Sequence, residues 1–202
     1  MKKVIYGLGI LPVFLFLWIS QNYETEAFIK WDAKMADALY GNEFIAFFHY
    51  FGETSFVMII SILVFIFMWL KQKSYRAMIF IVATMLVGTA MNQGLKRVFE
   101  RPRPDILDQL DSFSFPSGHS MMGILYLFTL AFLFSKMTAN VKVKAALWIG
   151  AVILVVLIGL SRVAGGRHFI TDVLGGWSLG VAWFTLCVIW FESIKGKIGQ
   201  RK

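Results

Sequence analysis

Six apolar blocks, at 4–20, 54–70, 77–95, 121–135, 145–160 and 173–191, dominate the 202-residue chain. Blocks of this length span a hydrocarbon core of roughly 30 Å. In hydrocarbon the backbone must satisfy its own hydrogen bonds, so each block folds as a helix. Pro12, inside the first block, is a tolerated kink. The hydrophobic share is 58% and the mean hydropathy +0.68, whereas soluble domains are nearer 45–50% apolar. The pattern predicts an all-α polytopic membrane protein of six transmembrane helices in one bundle. It is read as a single domain over 1–202, with a motif-bearing core at about 54–192. Residues 21–53, mixing charges with Trp31, Phe44, Phe47, Phe48, Tyr50 and Phe51, read as an amphipathic segment lying in the interface after the first span. No small-x-small cleavage site follows residues 18–20, so the first block reads as an uncleaved span. The single cysteine, Cys187, excludes a disulfide framework and a cysteine-ligated metal site.

The net charge of +8 could suit nucleic acid or a membrane surface, and its distribution favours the membrane. With both termini inside, the N-terminal Lys2 and Lys3, the cytoplasmic turns and the C-terminal end, including the basic tail at 195–202, hold twelve of the 20 bases and one acid, Glu192. That asymmetry satisfies the positive-inside rule. It also makes Lys96, Arg97, Arg101, Arg103, Arg162 and Arg167 conspicuous, because they gather near span ends on the face where bases are disfavoured. A group of negative charge is expected among them.

Three polar segments lie on that outer face. The first is Lys96-(x)6-Arg103-Pro104 and the second Phe115-Pro116-Ser117-Gly118-His119-Ser120. The third is Ser161-Arg162-(x)5-His168-(x)3-Asp172. The second opens an apolar run, so Ser117 or Ser120 can cap a helix whose free N–H groups favour phosphate. Gly118, without a Cβ, lets a ligand approach the backbone closely. Lys96, Arg103 and Arg162 offer positive charge and forked donors to phosphate oxygens. His168 and Asp172 are four apart, close enough for the carboxylate to hold one ring nitrogen and leave the other as a nucleophile. His119 is then left to protonate a leaving oxygen. The inventory fits phosphoryl transfer, which needs positioning and charge stabilisation above all. No cluster of carboxylates suited to magnesium is evident, so a metal-free route without cofactor is implied.

In order and spacing these segments match the three-part signature of the type 2 phosphatidic acid phosphatase family, which the chain resembles. The layout is similar to its small bacterial members. The resemblance implies a metal-independent lipid phosphatase working through a phosphohistidine intermediate. His168 is then the nucleophile, Asp172 its partner and His119 the acid, with Lys96, Arg103, Ser117, Gly118 and Arg162 as phosphate ligands. It implies a bacterial cytoplasmic membrane, termini inside and the site on the extracytoplasmic face. The substrate is then a membrane lipid phosphate: phosphatidylglycerophosphate, phosphatidic acid or undecaprenyl diphosphate. Ala164 stands where many members carry an aromatic residue, which bears on pocket shape. Arg97, Arg101 and Arg167 lie outside the signature and read as headgroup or acidic-loop contacts, and His49 as interfacial packing.

Two other readings use the same residues: vanadate-dependent haloperoxidase-like chemistry, and a non-catalytic lipid-phosphate binder or transporter. Broad lipid specificity is expected, because tails offer few polar handles. Neither the lipid tail nor the oligomeric state is legible.

Overall fold

The computed structural model describes residues 2–194, so the basic tail at 195–202 lies outside the described residues. Among them every regular element is a helix. In chain order these are α1 (Lys2–Asn22), α2 (Glu26–Leu39), α3 (Glu43–Phe47), a 3-10 turn (Phe48–Gly52) and α4 (Thr54–Leu70). There follow α5 (Tyr75–Val82), a π-helical turn (Ala83–Val87), α6 (Gly88–Phe99), α7 (Gly118–Met137), α8 (Val141–Ala164) and α9 (Ile170–Ser193). Helices α5 and α6 are one helix, Tyr75–Phe99, bridged by the π turn. The turn re-aims one carbonyl, that of Ala83, which accepts the indole N–H of Trp183 at 3.0 Å.

Among the described residues four helices are long and apolar enough to cross a membrane: Tyr75–Phe99, α7, α8 and α9. A fifth arises if Glu43–Gly52 and α4, bent by 47°, count as one span. Helix α4 alone has 17 residues, and α1 contributes the shorter apolar stretch Ile10–Asn22. All-helical membrane architecture is therefore present, with four or five spans by length and composition.

The helices run past the apolar blocks at the ends that matter. Lys96 falls in the last turn of α6, Arg162 in the last turn of α8, and Asp172 in the first turn of α9. Polar residues expected in loops are thus mounted on rigid helix ends, where burial in the bundle replaces exposure to water.

Helix α7 lies against both α8 and α9, and α1 runs along α9. The core around α7 holds Phe80, Met121, Leu125, Leu133, Ile158 and Phe191, each at most 2% exposed. Small residues on one face of α9 explain the close approach of α9 to α7. A Cβ on Gly176 would stand 2.5 Å from the Ser117 carbonyl, and one on Gly180 3.1 Å from that of Met121. A second cluster seats Phe115, just ahead of the polar knot, against Phe16, Tyr23 and Phe99, with ring centroids 5.6, 5.2 and 5.0 Å away. That ring lies over Gly175, where a Cβ would come within 2.5 Å of it. Three helices therefore converge on the residue that introduces the knot.

Candidate active site

Ser117 is the N-cap of α7. Its hydroxyl accepts from Ser120 N at 3.5 Å and from the Ser120 hydroxyl at 2.9 Å. Of the two serines, Ser117 therefore caps. Its own N–H donates to the Asp172 carbonyl at 3.0 Å, which ties the start of α7 to the start of α9. From α6, Asn92 donates to the Pro116 carbonyl at 3.2 Å. Its Oδ1 would lie 3.2 Å from a Cβ at position 118, so a glycine lets the chain pass there.

His168 lies in the short α8–α9 connection and is 3% exposed. Its Nδ1 is 3.2 Å from Asp172 Oδ2, and its Nε2 is 3.2 Å from Arg103 Nη1. A guanidinium only donates, so Nε2 presents its lone pair and the ring proton sits on Nδ1, facing the carboxylate. Burial holds the His168 pKa well below the ordinary histidine value, and the positive charges of Arg103, Lys96 and Arg162 push the same way. The ring is neutral at pH 7.

Arg103 is held in place by the Ser112 carbonyl (2.6 Å), the Ser112 hydroxyl (2.9 Å) and the Arg167 carbonyl (2.6 Å). Burial lowers its pKa. Lys96, 6% exposed, donates through Nζ to the Phe113 carbonyl and, at 3.3 Å, to that of Ser114. Arg162 is also 6% exposed, and its Nε is buried with no hydrogen-bond partner among the described residues. An unpartnered buried guanidinium N–H beside two further cations is a donor set that an anionic oxygen satisfies. His119, in the first turn of α7, sets its Nε2 3.3 Å from Glu53 Oε1. All eight residues singled out from the sequence thus meet at one end of the bundle. Among the described residues no three His, Cys, Asp or Glu side chains cluster in a metal-ligating arrangement.

Sequence reasoning missed the layer behind His168. Arg101, read from the sequence as a headgroup or loop contact, is instead 7% exposed and clamps the site from within. It donates to Asp172 Oδ1 at 2.7 Å, to Thr171 Oγ1 at 2.7 Å and to Asp32 Oδ2 at 2.8 Å. The rings of Tyr23 and Phe169 take its planar face, with centroids 4.5 and 4.3 Å away. Asp32, on α2, also accepts from Thr171 N at 3.0 Å and Thr171 Oγ1 at 2.8 Å. Asp172 completes its shell with Phe169 N at 2.9 Å and the Ser114 hydroxyl at 3.4 Å. A buried carboxylate that must orient a histidine thus gains a counter-charge and a full set of donors. A cavity of about 840 Å³, lined by Asp32 on α2, by Tyr40 just past its end and by Ile106, reaches His168 from this side. Arg167 reaches the Asp108 carbonyl, as a loop contact should. His49 packs on Tyr50, centroids 4.0 Å apart, in keeping with a packing role.

An apolar helical bundle with a buried cationic cradle around an oriented neutral histidine defines a membrane phosphotransfer protein. Residues 76–195 match the PAP2 superfamily, and the chain belongs to that family. It is 36% identical over 159 residues to phosphatidylglycerophosphatase B of Bacillus subtilis (strain 168), covering 76% of this chain and 77% of the relative. It is 27% identical to a lipid A 1-phosphatase of Rhizobium etli, over 67% of this chain and 65% of the relative. The fold is similar to the crystal structure of a transmembrane PAP2 type phosphatidylglycerolphosphate phosphatase from Bacillus subtilis. The TM-score is 0.81 at 33% identity, covering 91% of this chain and 97% of that one.

Proposed function

We propose that this membrane lipid phosphatase cleaves the phosphomonoester or diphosphate of a membrane lipid, without metal, through a phosphohistidine on His168. The single observation that carries the reading is the line Asp172–His168–Arg103, with Nδ1 on the carboxylate and Nε2 facing a guanidinium. Nε2 attacks phosphorus as the bond to the lipid oxygen breaks, and His119 gives its proton to that oxygen. His119 then takes a proton from water, whose oxygen attacks phosphorus, breaks the P–N bond and releases phosphate. Lys96, Arg103 and Arg162 balance charge on the equatorial oxygens, and Ser117 with the amides at Gly118 and His119 completes the cradle. Phosphatidylglycerophosphate, the substrate class in the name of the Bacillus relative, heads the list, with phosphatidic acid and undecaprenyl diphosphate beside it.

The chain is read as one domain of six spans, with α1 and the bent α4 segment crossing and α2 lying in the interface. The termini are cytoplasmic and the site extracytoplasmic, in keeping with the charge distribution. The partners are the lipid substrate and the bilayer, with no nucleic acid. Phosphate release in detergent with a chelator tests the chemistry, each lipid run beside His168→Ala. Release that survives chelator and vanishes in the variant is expected. Release abolished by chelator would overturn the metal-free route, and release unchanged in His168→Ala would overturn the nucleophile.

A further inference from the structure

The contact between His119 and Glu53 has no part in the chemistry above. Gly52 and Glu53 form the joint between the 3-10 turn and α4, and the joint is fitted to His119. A Cβ on Gly52 would lie 2.9 Å from His119 Cδ2 and 2.8 Å from Ile158 Cγ2, so the imidazole edge rests on bare backbone. Glu53 is held extended at the head of α4, its N–H donating to the Tyr50 carbonyl at 3.3 Å and its own carbonyl accepting from Val57 N at 2.9 Å. From there its carboxylate reaches His119 Nε2 at 3.3 Å, with 43% of the side chain exposed.

A leaving oxygen that takes its proton from His119 hydrogen-bonds to a ring nitrogen at about 3 Å, and with Glu53 on the same imidazole that places it on the order of 6–8 Å from the Glu53 carboxylate. The carboxylate therefore stands on the leaving-group side of the cradle, opposite the buried Asp172. A lipid alcohol departing from a monophosphate brings no charge to that place, whereas a lipid phosphate departing from a diphosphate does. Resting on the phosphatase reading above, we propose that Glu53 is a selectivity residue that disfavours diphosphate lipids against monophosphate lipids.

The test compares initial rates of the full-length protein in detergent on phosphatidic acid and on undecaprenyl diphosphate, for wild type, Glu53→Gln and Glu53→Asp. The glutamine retains an acceptor for His119 and loses the charge. Half-exposed charges at this range are partly screened, so Glu53→Gln is expected to raise the diphosphate-to-monophosphate ratio of kcat/KM by about tenfold. Glu53→Asp should hold the ratio near wild type. A purely structural role would lower both rates together and leave the ratio unmoved; an unmoved or falling ratio in Glu53→Gln overturns the proposal. Failure of the phosphatase reading looks different, since wild type itself would then release phosphate from neither lipid, and the proposal would fall with it.

Discussion

At the scale of single residues, the site is two shells of opposite legibility. The inner shell was readable because residue type and spacing carry chemistry: an imidazole and a carboxylate four apart, a Ser-Gly-His at a helix start. The outer shell was not, since Arg101 meets Asp32 and Asp172 across 69 and 71 positions that no local pattern links. With Arg101 7% and Asp32 3% exposed, removing one partner strands a buried charge, which typically destabilises by about 3–5 kcal/mol. Arg101→Ala should therefore lower the apparent unfolding midpoint in detergent markedly, and Arg101→Lys should restore little, because an ammonium cannot fork to two carboxylates. His168 carries a pH prediction. Its pKa in the fold lies well below the unfolded value of about 6.5. Its contribution to stability is full above pH 6.5 and is lost as pH falls below that toward the folded value. The rate should accordingly show a bell-shaped profile whose acid limb lies below the ordinary histidine range. A half-maximal acid-side rate near pH 6.5 would assign that limb to a group other than His168. His119→Ala should lose about 10²–10⁴-fold in kcat, less with a substrate whose leaving group needs no proton.

At the scale of elements, the helix ends decide where the chemistry sits. Apolar periodicity located the helices but ended them short, because Lys96, Arg162 and Asp172 count as polar loop residues until the bundle buries them. The purpose of Gly176 and Gly180 on α9 emerged only from packing. With a Cβ 2.5 Å from the Ser117 carbonyl, Gly176→Ala must push α9 off the knot that holds the cradle. Activity should fall well before helix content does, measured as phosphate release against far-ultraviolet circular dichroism on one preparation. Phe115→Ala empties the seat between α1, α6 and α9. Truncation of so buried a ring typically costs about 3–5 kcal/mol, so the unfolding midpoint should drop with it.

At the scale of the whole molecule, the inside-out charge asymmetry makes a directional prediction. In a Cys187→Ala background, a membrane-impermeant maleimide should label Leu107→Cys, at an exposed loop position, in intact cells. It should label Lys73→Cys only after lysis. The reverse pattern would turn the site to the cytoplasm.

Residue order along the chain was enough to declare a helical membrane protein and to single out eight candidate positions, since hydropathy and motif spacing are local properties that survive without a fold. Only tertiary packing could say that α2 sends Asp32 inward to Arg101, that α1 braces Phe115, and that Glu53 faces His119. Those contacts join segments distant in sequence, and they exist only once buried charges must find partners that water no longer supplies.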